Sequence, residues 1–128
     1  MKVNKPLVFL VEDSNPYRIL LKRVLERSGF FVLAFKDGVE AFKKLYDYSP
    51  QVIISDIQMP KMDGFELNEA TSSHFPARDI PFIYITSTVD ERNREKADEL
   101  GAKMFYRKPI DVHELVGSIT KIINAQVA

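Results

Sequence analysis

The feature that most constrains this chain is the alternation of short apolar runs with segments of helical period. Five runs stand out: Leu7–Val11, Phe30–Phe35, Val52–Ile54, Phe82–Ile85 and Met104–Tyr106. Each has the length of a strand and is rich in Val, Ile, Phe or Tyr. They are continuous rather than alternating, which predicts strands covered on both faces. The segments between them read as helices. Tyr17, Leu20, Leu21, Val24 and Leu25 form the stripe of the first, with Ser14 or Asn15 as cap, Pro16 in the first turn and Gly29 at the end. Val39, Phe42, Leu45 and Tyr46 serve the second, and the third, from Asp63 to Phe75, is the least regular. The fourth, from Asp90 to Leu100, is mostly charged and offers only Ala97 and Leu100 to a core. The last carries Val112, Leu115, Val116, Ile119, Ile122 and Ile123 on one stripe, with Asp111 and Glu114 placed as a capping box. Five strand–helix alternations predict an α/β fold, a doubly wound five-stranded parallel sheet with helices on both faces.

Composition narrows the functions such a sheet could serve. At 128 residues the chain is expected to be one domain, 1–128, large enough to stand on its own core. Lysine plus arginine total 18 and aspartate plus glutamate total 18, so no net charge draws it to nucleic acid or an anionic membrane. The absence of cysteine excludes disulfides, thiol catalysis and cysteine-ligated metals. Leu7–Val11 is too short, and too soon followed by Glu12 and Asp13, for a signal peptide or membrane span. The expectation is a soluble, cytoplasmic protein with no output domain behind the fifth helix.

In parallel sheets of this kind ligands sit beyond the carboxyl ends of the strands. There the chain places Glu12-Asp13 after strand one, Asp56 after strand three, Thr86-Ser87 after strand four and Lys108-Pro109 after strand five. Each alone has a plain explanation: a helix cap, a turn, a strand residue, a strand stop. Independent caps and turns, however, have no reason to gather acids, hydroxyls and a lysine on one edge. Carboxylates so close repel one another and call for a counter-ion. A hard divalent cation such as Mg2+ takes oxygen ligands and bridges carboxylates to phosphate, and a lysine adds a point charge for an anionic oxygen.

These residues carry a resemblance. Val11–Ser14 (V-E-D-S), Ser55–Gly64 (S-D-I-Q-M-P-K-M-D-G), Ile85–Ser87 (I-T-S) and Lys108–Pro109 (K-P) together resemble the receiver domain of two-component response regulators, including the stand-alone chemotaxis type, over essentially the whole chain. The resemblance implies the flavodoxin-like (βα)5 receiver fold with strand order 2-1-3-4-5. It implies Asp56 as phosphoacceptor, and Mg2+ held by Asp13, Asp56 and the Gln58 backbone carbonyl, with Glu12 supporting through water. Thr86 and Lys108 would bind the arriving phosphoryl group, and the Lys108–Pro109 peptide would be cis. Phe105 falls on the aromatic switch position of the face made by helix four, strand five and helix five. Gln58 and Thr88 border the path of hydrolytic water, and neither is a base. Two departures are visible: Glu12 stands where aspartate is common, and Phe105 lacks the hydroxyl of tyrosine. Ile19, opposite the first helical stripe, would be exposed beside the acids and would face a phosphodonor protein.

The implied function is a phosphorylation-dependent switch, charged by a sensor histidine kinase or histidine phosphotransfer protein and read by a downstream effector whose identity the sequence leaves open. It would promote only its own phosphorylation and dephosphorylation. Three alternatives compete. A flavodoxin-like carrier would need a phosphate loop where Glu12-Asp13-Ser14-Asn15-Pro16 stands, and two acids there would repel the phosphate. An aspartyl-phosphate phosphatase would want a second aspartate where Gln58 stands. A receiver-like module that binds partners without phosphorylation would have no use for the intact acids and lysine.

Overall fold

The computed structural model describes residues 5–126. Five strands and five helices alternate: β1 (Leu7–Val11), α1 (Asn15–Arg27), β2 (Phe31–Phe35), α2 (Gly38–Lys44), β3 (Val52–Asp56), α3 (Gly64–His74), β4 (Phe82–Thr86), α4 (Glu91–Glu99), β5 (Met104–Arg107) and α5 (Val112–Gln126). All pairings are parallel, in the order β2-β1-β3-β4-β5. The predicted doubly wound sheet and its strand order are therefore both present.

Two apolar layers sandwich the sheet, because successive strand side chains point to opposite faces. Val8, Leu10, Val52, Ile54, Ile83 and Ile85 pack with Leu21 and Leu25 of α1 and Leu115, Ile119 and Ile123 of α5. Phe9, Val11, Ile53, Phe82 and Tyr84 pack on the other side with Ala41 of α2, Phe65 and Leu67 of α3 and Ala97 of α4. Complete coverage holds for β3 and β4, all of whose residues are buried, and nearly so for β1. It does not extend to the edges. In β2 Phe31 is exposed, and in β5 both Met104 and Arg107 are. An edge strand has a neighbour on one side only, so its end residues meet water.

Several local expectations need correction. Leu20 lies outside the α1 core stripe, at 53% exposure, whereas Leu21 and Leu25 are buried. With 100° per residue, the centre of the buried face falls about 60° from Tyr17 towards Leu21 and Leu25, which leaves Leu20 about 120° away. Tyr46 also faces out, because α2 ends at Lys44 and the helical period no longer governs the residues after it. Ser14 is the α1 N-cap without a side-chain bond, while the Asn15 side chain accepts from the Arg18 guanidinium. At α5 the Asp111 carboxylate accepts from the amides of His113 and Glu114. The reciprocal capping box belongs to α3, where Asp63 and Glu66 satisfy each other's amides. The helix of least regular apolar spacing is thus held at its start by polar bonds. That start carries Gly64 against the end of β3.

Candidate functional site

Because β1, β3 and β4 neighbour one another in parallel, their carboxyl ends open on one edge. Glu12 follows β1 directly and is fully buried; Asp56 closes β3 at 6% exposure; Asp13 is exposed. One carboxylate oxygen from each of these three lies within 4.8 Å of the others. Lys108 reaches into the group from beyond edge strand β5. Its ammonium donates to Asp56 Oδ2 at 2.9 Å and closely to Glu12 Oε1. The acids and the lysine expected at the strand ends are therefore brought together in space.

The electrostatics are unbalanced. Glu12 Oε2 is buried and has no hydrogen-bond partner among the described residues. Burial, then the neighbouring Asp56 carboxylate, push Glu12 up to about 8, against the opposing pull of Lys108. Burial by itself would lower Lys108, but hydrogen bonds to Glu12 and Asp56 outweigh it and the ammonium is held above its ordinary value. One ammonium thus serves both Glu12 and Asp56, and Asp13 stands beside them. The donor set is all oxygen, with an orphaned acceptor behind it, and that is the chemistry of a hard divalent cation with bound water. The residues fit such an ion, and the Gln58 carbonyl lies two residues beyond Asp56 in the same loop.

Other predicted residues occupy more distinct positions. The Thr86 hydroxyl is buried and engaged with its own loop, donating to the Thr88 carbonyl at 3.0 Å and accepting from the Thr88 amide at 3.1 Å. It is not bonded to the acids. The Thr88 and Gln58 side chains are exposed at the rim. Phe105 is half-buried on the α4 side, with the Arg94 guanidinium 5.6 Å from its ring centroid. Ile19 is 56% exposed, as expected, and adjoins the exposed Leu20. The Lys108–Pro109 peptide is cis.

Three contributors do not stand out in the sequence. Arg18 donates to the Glu12 carbonyl at 2.7 Å, tying the first turn of α1 to the acidic loop. Gly64 packs so closely on Asp56 that a Cβ there would meet the Asp56 carbonyl oxygen at 2.3 Å. Tyr17, legible only as a core residue, accepts from the Ile110 amide and lies beneath the Lys108 ammonium. Its place at the end of the Ser55–Gly64 run, where α3 opens, is the one available signal for Gly64; nothing in the spacing signals the other two.

This strand order is shared by flavin carriers, yet two acids after β1 would repel a flavin phosphate. A flavodoxin-like sheet with acids and a lysine at its switch point defines a signalling receiver. The chain belongs to the response regulator receiver domain family, whose match extends over residues 8–120. It is 33% identical over 125 residues to hybrid signal transduction histidine kinase D of Dictyostelium discoideum, covering 98% of this chain and 8% of that protein. It is 30% identical over 122 residues to the DNA-binding transcriptional regulator NtrC of Escherichia coli, covering 95% of this chain and 26% of that one. The chain thus spans far less than the length of these relatives. Among solved structures, the Vibrio cholerae chemotaxis protein CheY4 superposes with a TM-score of 0.85 at 27% identity, over 93% of this chain and 99% of that one. The receiver domain of a histidine kinase from Syntrophus aciditrophicus does so at 0.84 and 32% identity, over 94% and 91%. The chain is accordingly a receiver domain of two-component systems, a family of signalling switches, and the phosphatase alternative is not favoured. Among the described residues no helix is long and apolar enough to cross a membrane.

Proposed function

We propose that the chain acts as one receiver domain, 1–128, in the cytoplasm, and accepts a phosphoryl group on Asp56 from a histidine kinase or a histidine phosphotransfer protein. The observation that carries this reading is the Lys108 ammonium bonded at once to Asp56 Oδ2, at 2.9 Å, and to the buried Glu12. A lysine in that position orders the acceptor and already occupies the place where a phosphoryl oxygen would need a positive partner.

The step is an in-line displacement. One Asp56 carboxylate oxygen forms a bond to phosphorus as the bond to the donor nitrogen, or to the oxygen of a small acyl phosphate, breaks and the donor leaves with that electron pair. Positioning and charge neutralisation supply most of the acceleration in such transfers. Asp13 and Asp56, the Gln58 carbonyl and, through water, Glu12 are the groups that would hold Mg2+, which supplies positive charge to the phosphoryl oxygens when bound. Lys108 then exchanges Asp56 Oδ2 for a phosphoryl oxygen. Thr86 would leave the Thr88 backbone and donate to another phosphoryl oxygen. Its departure alters the β4–α4 loop and lets Phe105 repack between α4 and β5, a local charge event biasing a two-state face.

Gln58 and Thr88, at the rim of the approach, can orient water but cannot take its proton, so the acyl phosphate persists as a message rather than turning over. Exposed Ile19, with Leu20 beside it on α1, provides an apolar contact for the donor protein next to the acids. The test is incubation with acetyl phosphate with and without Mg2+. One phosphoryl group is expected, lost on chelation, and decaying slowly once the donor is removed. Rapid multiple turnover of a phosphomonoester would instead establish a phosphatase.

A further inference from the structure

We propose that Tyr17 is a positioning residue for Lys108, holding its ammonium at Asp56 through the face of its ring and the neighbouring backbone through its hydroxyl. The inference rests on the reading of Asp56 as acceptor and Lys108 as the phosphoryl-binding cation, and it adds a residue outside the acidic cluster to that machinery.

The need for such a residue arises from topology. Lys108 leaves edge strand β5, and its side chain must pass β4 to reach Asp56 at the end of β3 and Glu12 beyond β1. A lysine side chain is a flexible four-carbon stem bearing a strongly hydrated point charge, and it has no intrinsic preference for one direction. Its ammonium carries three donors, of which Glu12 and Asp56 take one each. The Tyr17 ring lies beneath the same ammonium, 5.0 Å from nitrogen to ring centroid, within the range at which the negative face of an aromatic ring attracts a cation. Two carboxyl groups in front and a ring below define the position of the charge from separate directions.

The backbone is fixed by the same side chain. The Lys108 amide donates to the Thr86 carbonyl at 2.8 Å, Pro109 has no amide hydrogen, and the Ile110 amide donates to the Tyr17 hydroxyl at 3.1 Å. Tyr17 thus contacts the segment both at the lysine side chain and two residues beyond it. Tyr17 is itself held: it lies in the first turn of α1, half-buried and packed on the layer that includes Leu21, Ile110 and Leu115. Its neighbour Arg18 binds the Glu12 carbonyl, so one turn of α1 sets both the acid loop and the lysine that faces it.

The roles of ring and hydroxyl are separable. Tyr17→Leu removes both, and should slow labelling by acetyl phosphate about three- to tenfold, the range a cation–ring contact of this kind represents. Tyr17→Phe keeps the ring and should restore the larger share of that loss. Repeating Tyr17→Leu in a Lys108→Ala background distinguishes positioning from a structural role: with no ammonium to place, the ring should make no further difference. A Tyr17→Leu effect of the same size in both backgrounds would overturn the proposal. A second readout needs no phosphorylation. The Lys108 ε-methylene protons should be shifted upfield by the ring current in the wild-type protein and in Tyr17→Phe. Wild-type signals at random-coil positions would also overturn it. Failure of wild-type Asp56 to label at all, with the upfield shift present, would instead refute the phosphoacceptor reading and leave the Tyr17–Lys108 placement standing.

Discussion

Substituting Gly64 by alanine should displace the candidate acceptor without touching a charged group. Gly64 opens α3, and its amide donates to the Ile57 carbonyl at 2.8 Å, which presses the helix start onto the end of β3. An added Cβ would stand 2.3 Å from the Asp56 carbonyl oxygen, 3.2 Å from its carbon and 3.1 Å from Ser55 Oγ, whereas ordinary contact begins near 3.4 Å. Relief requires helix and strand to part by about 1 Å, since the atoms met are mostly backbone and cannot swing aside. Overpacking of that kind costs about 1–3 kcal/mol. A displacement of about 1 Å at a reacting group can cost on the order of a hundredfold in rate. Gly64→Ala should therefore lower the urea midpoint and slow acetyl phosphate labelling at least tenfold, by the same reasoning. Gly117, inside α5, provides the control: a Cβ there meets nothing within 4 Å, so Gly117→Ala should stabilise the fold by about 0.5–1 kcal/mol and leave labelling alone. Wild-type stability and labelling rate in Gly64→Ala would refute the close-approach argument.

Three further outcomes are expected. Glu12, at about 8 in the fold against 4.5 as a free side chain, keeps a proton that the unfolded chain releases between those values. The folded state therefore binds more protons there, and stability in chelator should fall as pH rises from 5 to 8, by at most about 1.4 kcal/mol per pH unit. Urea midpoints should show the fall, Glu12→Gln should flatten it and Mg2+ should offset it; a rise with pH would contradict the burial argument. Thr86→Ala should still be labelled but should not relay the change, so NMR shifts around Phe105 that are the same as in phosphorylated wild type would break the proposed coupling. Ile19→Glu should slow transfer from a phosphohistidine protein and spare transfer from acetyl phosphate; equal slowing of both removes Ile19 from the docking face.

The parts legible in the sequence are those in which one physical signal dominates. Val52–Ile54 and Phe82–Ile85 lie in the sheet interior, where burial on both faces demands continuous apolar runs, and such runs are plain to read. Asp13, Asp56, Thr86 and Lys108 are legible because a parallel sheet collects its strand ends, so residues far apart in sequence share one edge. Where signals compete the reading slips. Leu20 and Tyr46 continue an apolar spacing, yet the true face of α1 is rotated towards Leu21 and Leu25, and α2 stops before Tyr46. Arg18, Tyr17 and Gly64 act through a few specific contacts across the fold, and such contacts leave no periodicity to read. The Thr86 hydroxyl is a related case: its residue type marks a site, but only the folded loop shows it bonded to the Thr88 backbone.

The central claim is that Asp56 receives the phosphoryl group. The most direct measurement is site-resolved: label the wild-type protein with acetyl phosphate and Mg2+, reduce the acyl phosphate with borohydride, and map the modified residue by peptide mass spectrometry. Reduction at Asp56 alone, absent without Mg2+ and absent in Asp56→Asn, is the predicted result. Modification of another residue in the wild-type chain, Asp13 or Glu12 included, would contradict the account.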